Sequence, residues 1–235
     1  MLNLLLSLDL PSFKVEPCNI KTQHPHKQCQ YYHYPKDRKR AGFFYSTDLC
    51  EAVDLGSICP YGDTCLKSHS RVEQLYNPSK YKTKFCGFYP DRMSQCEYGD
   101  FCSFAHSESE ISIELIHKYT MDADFFIFHY KTVMCPFNQK KHDKSTCVYA
   151  HNWQDFRRKP SVTDYENIQC VFWKSSDFVV NYEDCCPEGF NCKKCHGWKE
   201  YDFHPMVWMT KPCPKAKLCS KGKDCAFYHD IREKR

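Results

Sequence analysis

The chain has 235 residues, a net charge of +4 and 18 Cys, 16 Tyr and 17 Phe, whereas Leu, Ile and Val together number only 30. Six of the twelve leucines fall within the first ten residues, so the rest of the chain holds too few aliphatic side chains for an ordinary hydrophobic core. This composition excludes a conventional globular domain and favours small units closed by metal ions or disulfides, while the low net charge alone does not identify a partner.

The N-terminal segment 1–12 is an apolar lead. Asn3 and Asp9 interrupt it, and it lacks a basic leading region and a small-residue cleavage site, so we do not interpret it as a signal peptide. A short docking helix is the alternative. No apolar stretch reaches the length of about 18 residues that a membrane span needs. We therefore expect a reducing compartment, the cytoplasm with the nucleus as the alternative, where Cys-rich patterns more often bind metal than form disulfides.

A repeated Cys/His pattern organises the rest of the chain. A Cys followed four residues later by a His occurs six times, and four of these pairs extend upstream to Cys-x5-Cys-x3-His. In the other two, a His takes the upstream position and gives His-x4-Cys-x3-His. One earlier Cys completes each set of four. The sets, called fingers one to six, are Cys18, His24, Cys29, His33; Cys50, Cys59, Cys65, His69; Cys86, Cys96, Cys102, His106; Cys135, His142, Cys147, His151; Cys170, Cys186, Cys192, His196; and Cys213, Cys219, Cys225, His229.

Sets of four thiolate and imidazole ligands are typical of structural Zn²⁺, which is bound tetrahedrally by Cys and His. The sequence therefore predicts six zinc ions. Cys186 is preferred to Cys185 because it keeps the spacing to Cys192. Cys195 is either an exchangeable ligand or an inert thiol, and His26 competes with His24 for the first metal.

Two further features recur with the fingers. Five residues before each opening Cys stands an aromatic residue, which we expect to pack against the finger body; these are Phe13, Tyr45, Tyr81, Tyr130, Tyr165 and Trp208. A glycine follows the second ligand of each Cys/Cys/Cys/His finger by three residues, where the backbone must bend around the metal; these are Gly62, Gly99, Gly189 and Gly222.

The finger that contains two His comes first in each half, so the chain reads as a duplicated triplet. We predict an N-terminal apolar lead over 1–12, a first array over 13–106, a connector over 107–129, a second array over 130–229 and a basic tail over 230–235. In the connector, the helical spacing of Ile111, Leu115, Ile116 and Tyr119 predicts a short amphipathic helix. We expect the apolar run 125–128 to pack on a finger. The predicted fold is small, metal-stabilised and mostly irregular, with short helical turns.

The closing His, the three Cys and the Tyr-Lys-Thr sequences at 81–83 and 130–132 resemble the CCCH family of RNA-binding zinc fingers. The two triplets and the extra Cys195 are similar to the six-finger region of the unkempt family. Plant arginine-rich tandem CCCH proteins share the layout of one triplet only. The resemblance implies sequence-selective binding of single-stranded mRNA and control of its translation or stability. Unkempt proteins also carry a RING finger that this sequence does not show after finger six, so we do not expect a ubiquitin-related role from such a region.

Aromatic side chains beside the metal are the candidates for base stacking. In tristetraprolin-like fingers of the family, aromatics two residues after the second and third ligands stack on a base, and finger three has Tyr98 and Phe104 there. Four other fingers keep one of the two positions, with Tyr31, Tyr61, Tyr149 and Phe227. Finger five keeps neither. The alternative for these rings is to shield zinc or to pack between fingers.

Basic residues near the fingers are candidates for phosphate contacts, with a merely solvated face as the alternative. They are Lys82, Lys84, Lys131, Arg157, Arg158 and Lys211. The expected partners are therefore single-stranded RNA and effector proteins, and neither a membrane nor a small-molecule substrate.

Other function classes compete with RNA binding. A protein-interaction scaffold would be favoured if fingers five and six did not bind RNA. A nuclease that uses metal-bound water needs an open coordination position, and each set here closes with four protein ligands, so we do not expect an enzyme. Duplex DNA recognition is not expected either, because the fingers lack the Cys₂His₂ pattern with its helical spacer.

Overall fold

The computed structural model describes residues 8–137, 142–174 and 182–235, apart from the side chain of Asp184. The chain divides into two compact units, Met1–Ile113 and Glu114–Arg235, and the division falls inside the predicted connector. Each unit contains one triplet of fingers. None of the helices in the described ranges is long and apolar enough to cross a membrane.

Regular secondary structure is sparse in the described residues. The α-helices are α1 (Glu51–Asp54), α2 (Arg71–Leu75), α3 (Phe125–Phe128), α4 (Pro160–Thr163) and α5 (Trp198–Asp202). The strands β1 (Glu166–Gln169) and β2 (Lys194–Cys195) form a parallel pair in finger five. Short 3-10 turns cover His26–Gln28, Pro35–Asp37, Gly62–Thr64, Met93–Gln95, Gly99–Phe101, Ile116–Tyr119, Tyr182–Cys185, Gly189–Asn191, Ala216–Leu218, Gly222–Asp224 and Ile231–Glu233. The predicted irregular, metal-stabilised fold is confirmed.

One backbone contact recurs in all six fingers. The amide of the opening Cys donates to the carbonyl of the residue that precedes the closing His, at 2.8 to 2.9 Å. The donor and acceptor residues are Cys18 and Tyr32, Cys50 and Ser68, Cys86 and Ala105, Cys135 and Ala150, Cys170 and Cys195, and Cys213 and Tyr228. This bond places the first and last ligands of each finger side by side.

The recurring glycines adopt the backbone that the spacing predicts. Gly62, Gly99, Gly189 and Gly222 have φ values of +48° to +52°, in the left-handed region that side chains with a Cβ rarely adopt. Each begins a 3-10 turn that leads to the third ligand. The prediction that the chain bends there is confirmed.

The lead-in aromatic of the first finger in each unit packs on the connector between the second and third fingers. In the first unit, the ring of Phe13 lies 4.4 Å from that of Tyr76, and in the second unit Tyr130 lies 4.9 Å from Phe203. Phe13 and Tyr130 are buried, as are Tyr45 and Tyr165. The remaining two lead-in rings are half-buried. The lead-in aromatics thus have a packing role, and the partner of Phe13 and Tyr130 is this connector, whereas the prediction was packing against the finger body.

A buried ion pair joins the first and second fingers of each unit. The guanidinium of Arg40 donates to both carboxylate oxygens of Glu73, at 2.7 and 2.8 Å, and Arg158 does the same to Glu200, at 2.9 and 2.7 Å. The four side chains are at most 4% exposed. Burial opposes ionisation of Glu73, yet the bonds from Arg40 and from the His69 amide keep its pKa below the ordinary value.

The connector differs in part from the prediction. Leu115 and Ile116 are buried, but only a 3-10 turn forms at Ile116–Tyr119 instead of an amphipathic helix, since a run this short gains few helical hydrogen bonds. Ile116 packs with Cys135 and Tyr149 of finger four. Helix α3 packs on the second array through Phe125, so the predicted packing of the apolar run on a finger is confirmed.

The Arg40–Glu73 pair yields a stability prediction. Glu73→Gln leaves the buried Arg40 charge uncompensated and should lower the free energy of unfolding of the zinc-loaded chain by about 3 kcal/mol. The measurement is denaturant unfolding at saturating zinc. Glu51→Gln is the matched control, because Glu51 pairs with Lys67 in the same finger but is 84% exposed, and we expect a change below about 0.5 kcal/mol. Equal effects of the two substitutions would contradict a structural role for the buried pair.

Candidate metal centres and nucleic-acid interface

The structure brings the predicted ligands together in sets of four. In fingers one to five, the donor atoms of each set lie within 4.8 Å of one another. In finger six, the Cys219 thiol interacts with Cys213, Cys225 and His229, and the backbone amide of Lys221 together with these contacts lowers the pKa of Cys219. Most of the thiols are buried.

Distances between donor atoms test whether the sets fit Zn²⁺. Zn–S bonds of about 2.3 Å and Zn–N bonds of about 2.0 Å imply tetrahedron edges of about 3.8 Å between two sulfurs and 3.3 Å between two nitrogens. The sulfurs of Cys170 lie 3.8 Å from those of both Cys186 and Cys192. The two Nε2 atoms are 3.2 Å apart in finger one and 3.0 Å apart in finger four. These edges match a tetrahedral zinc centre.

The other closing histidines also have a ring nitrogen that is placed to bind a metal. In His69, His106, His196 and His229, Nε2 is buried and makes no hydrogen bond within the described residues. A buried polar atom without a partner is costly, and a bound Zn²⁺ would remove that cost. The protein therefore binds Zn²⁺ through Cys/His sets, and we assign each of the six sets to one ion.

An acidic residue four positions after each closing His holds that histidine in place. Its carboxylate accepts a hydrogen bond from the backbone amide of the histidine, at 2.6 to 3.2 Å. The acids are Asp37, Glu73, Glu110, Asp155, Glu200 and Glu233. Such contacts outside the ligand set fix the orientation of a ligand.

A lysine completes this arrangement in fingers one, three and four. Lys14, Lys82 and Lys131 directly follow the lead-in aromatic and have positive φ values of 55° to 61°. Each ammonium donates to the acid of its own finger and to the carbonyl two residues after the third ligand. Arg40 and Arg158 supply the corresponding bonds in fingers two and five. The lysine therefore connects the lead-in segment, and the arginine the preceding connector, to the acid beside the closing His.

The unassigned residues lie outside the sets. Cys186, and not Cys185, belongs to the group in finger five. Burial raises the pKa of Cys195 to about 12, and its thiol donates to the Glu166 carbonyl at 3.1 Å, which favours the inert-thiol alternative. The ring of His26 stacks on that of His33 at 3.8 Å instead of joining the first set.

Comparison with known proteins agrees with this geometry. The family model described as AtC3H23-like, CCCH zinc finger, matches residues 124–158, which include finger four. The Drosophila melanogaster RING finger protein unkempt is 26% identical over 94% of this chain. The chain is therefore similar to CCCH zinc-finger proteins. The same identity and coverage relate it to mouse UNKL, whose name describes a candidate E3 ubiquitin-protein ligase.

The match to these CCCH relatives covers only part of their length. The chain spans 46% of the fly protein and 39% of mouse UNKL. The rice zinc finger CCCH domain-containing protein 37 is 30% identical over 48% of this chain and 42% of its own length. Proteins similar to this chain thus occur in both animals and plants.

Several residues predicted to contact RNA are corrected by the structure, because they are buried in internal bonds. Lys82 and Lys131 make the lysine contacts described above, and Arg158 binds Glu200. Arg157 is fully buried and donates to four backbone carbonyls, those of Phe126, Ile127, Tyr130 and Phe203. Tyr149 is also buried, with its hydroxyl 2.7 Å from Nδ1 of His117. None of these five side chains can reach a phosphate or base from its present position.

The sequence contained a signal for this internal role. An acid stands four residues after every closing His, and in five fingers this acid is the partner of a buried lysine or arginine. The remaining predicted side chains stay accessible. Tyr31, Tyr61, Tyr98, Lys84 and Lys211 are exposed, and Phe104 and Phe227 are half-buried.

The accessible pair of finger three lies at a cavity of about 480 Å³ in the first unit. Tyr98 and Phe104 line it from finger three, Lys27 and Lys36 from finger one, and Arg71 from α2. Sequence analysis missed Lys27 and Arg71, because the cavity forms only when the three fingers pack. Lys27 pairs with Glu97 and lies 5.4 Å from the centre of the Tyr98 ring.

Zinc stoichiometry provides a test of the ligand assignment in finger five. Cys192→Ser should lose one zinc equivalent, because it removes one of four ligands. Cys195→Ser should keep all six, since a hydroxyl can donate to Glu166 in place of the thiol. The measurement is native mass spectrometry of the full chain. Loss of zinc from the Cys195 variant, or retention by the Cys192 variant, would contradict the assignment.

Lys82 and Lys84 of finger three allow a comparison of how an internal and an exposed lysine contribute to stability. Lys82→Gln removes the ammonium that binds Glu110 and the Phe104 carbonyl, and should lower the free energy of unfolding by about 1–3 kcal/mol. Lys84→Gln alters an exposed side chain and should change that free energy by less than about 0.5 kcal/mol. Thermal unfolding of both zinc-loaded variants makes the comparison. A larger effect at Lys84 would contradict the internal role of Lys82.

Proposed function

We propose that the chain binds single-stranded RNA and that the cavity of the first unit receives an unpaired base. The observation that carries this proposal is the placement of two aromatic rings and several cations around one opening. Tyr98 is 43% exposed, and Phe104 lines the same cavity. Unpaired bases stack on such rings, while Lys and Arg contact the phosphates.

The charge around the cavity supports a nucleic-acid ligand. Lys27, Lys36 and Arg71 line the cavity with the aromatic pair; Lys27 pairs with Glu97, and the acid in the lining, Asp37, binds the ammonium of Lys14 at 2.8 Å. The net local charge is therefore positive although the whole chain carries only +4. A base stacked on Tyr98 would bring its phosphate to these cations.

The resemblance to the unkempt family supports a more specific role. We infer that the bound RNA is mRNA, that binding is sequence-selective, and that it regulates translation or mRNA stability in the cytoplasm, with effector proteins as further partners. Each zinc set has four protein ligands, so a tetrahedral ion there has no position left for a reacting water. The proposed role is therefore binding and not catalysis.

A second candidate function is a protein-interaction scaffold. Finger two favours it, because Leu55, Ile58 and Leu66 are 70% to 96% exposed and Tyr61 is 70% exposed. Exposed apolar side chains of this kind are available to a protein partner. The two functions are compatible, because these side chains are not among those that line the cavity.

Substitution of Tyr98 tests the RNA proposal. Tyr98→Ala should weaken binding of single-stranded RNA by about 1–3 kcal/mol, which is the contribution of one stacked base. The double variant Tyr98→Ala, Phe104→Ala should bind more weakly still, with zinc content unchanged. The measurement is fluorescence anisotropy with labelled RNA of random sequence.

The matched control is Phe44→Ala, which removes an aromatic ring that is 51% exposed and does not line the cavity. It should leave the affinity unchanged. Equal affinity of the wild type and the Tyr98 variants would reject the cavity as the base-binding site. If no single-stranded RNA bound to the zinc-loaded chain, the scaffold function would be favoured instead.

A further inference from the structure

Finger two presents several large apolar side chains to solvent. Leu55, Ile58 and Leu66 are exposed, and Ile58 is almost fully so, at 96%. Ile58 directly precedes the second ligand and Leu66 directly follows the third, and the ligand atoms of this finger lie within 4.8 Å of one another. Side chains of this size on one small framework favour contact with a protein.

The charges beside these side chains limit what the protein partner can be. We define the ligand loop of a finger as the segment from two residues before the first ligand to two residues before the third. In finger two this loop, 48–63, has four acidic residues and no basic residue. Two of the acids pair with basic residues outside the loop, whereas Asp48 and Asp54 are exposed and form no ion pair within the described residues. A basic surface would complement this loop.

Finger six has the opposite charge in its ligand loop. The segment 211–223 contains five lysines and no acid, and all five lysines are exposed. They are Lys211, Lys215, Lys217, Lys221 and Lys223. Leu218 directly precedes the second ligand of finger six, as Ile58 does in finger two, and is 88% exposed. The chain therefore carries two surfaces that match in exposed apolar groups and are opposite in charge.

These two ligand loops differ from those of the other fingers. The loops of fingers one, three, four and five each contain both acidic and basic residues. Finger six takes the place in the second triplet that finger three takes in the first, yet Lys221 stands where finger three has Tyr98, two residues after the second ligand. Trp198 likewise stands where the first unit has Arg71, two residues after a closing His. The basic loop is therefore a feature of finger six and not of the shared framework.

We propose that finger two of one chain binds finger six of a second copy of this chain. The acids of loop 48–63 lie against the lysines of loop 211–223, and Ile58 packs with Leu218, so that charged groups surround an apolar contact. The two surfaces are different, so the contact is heterologous. Each added copy then leaves one finger two and one finger six free for further copies. This contact supplies a partner for the exposed side chains of finger two and does not depend on RNA binding.

Sedimentation velocity of the full zinc-loaded chain, after ribonuclease treatment, tests for this self-association. The sedimentation coefficient should rise with protein concentration at low salt and return to the monomer value at high salt, because salt screens exposed charges. A monomer at every concentration in low salt would overturn the proposal, and so would self-association that disappears when RNA is digested. Since the assay contains no RNA, its outcome does not depend on the base-binding cavity.

Two double variants that neutralise charge test which fingers form the contact. Asp48→Asn with Asp54→Asn, and in a separate chain Lys215→Gln with Lys217→Gln, should each weaken self-association roughly tenfold, as expected for the loss of two exposed ion pairs. At concentrations where neither variant associates alone, an equimolar mixture should form dimers that grow no further. One chain in the mixture keeps an intact finger six and the other an intact finger two. Loss of association in the finger-two variant only would contradict the proposed contact and indicate that two copies of finger two meet.

The matched control is Asp91→Asn with Asp100→Asn, which removes two exposed acids from finger three of the same unit. It changes the net charge as much as the finger-two variant does, and it should self-associate as the wild type does. All variants should retain six zinc equivalents. An equal loss of association in the control would show that net charge alone is responsible and would reject the contact between fingers two and six.

Discussion

Tetrahedral coordination of Zn²⁺ is the constraint on which the rest of this structure depends. The buried apolar groups are largely ligand thiols and aromatic rings, with few aliphatic side chains among them. In units this small, metal binding and folding are one event. The acid four residues after each closing His extends this constraint, because it accepts the histidine amide and, in five fingers, a cation from elsewhere in the chain.

The two units repeat one internal packing scheme and differ in the surface that they present. The contacts of Phe13 with Tyr76 and of Arg40 with Glu73 have counterparts at Tyr130 with Phe203 and at Arg158 with Glu200. The accessible positions have diverged within this common framework, as Arg71 and Tyr98 correspond to Trp198 and Lys221. The duplicated framework therefore presents different exposed residues in each unit.

Cations have two distinct roles in this fold. Lys82, Lys131, Arg157 and Arg158 are internal and satisfy backbone carbonyls and carboxylates, so their substitution should affect stability first. Lys84, Lys211 and Lys221 are exposed and available to phosphates. The net charge does not distinguish the two groups, and only the second contributes to the charge that solvent-borne ligands meet. This division explains how a chain of charge +4 presents a basic surface in finger six.

The sequence by itself determined the six ligand sets, the duplicated triplet, the bending glycines and the packing of the lead-in aromatics. These features depend on short, repeated spacings, and zinc chemistry allows few alternatives at such spacings. The tertiary structure alone decided which cations and rings are accessible. Arg40 and Glu73 are 33 residues apart in the sequence, and Arg158 and Glu200 are 42 residues apart. The cavity beside Tyr98 forms from three separate segments. Burial depends on these distant partners, so local spacing could not reveal it.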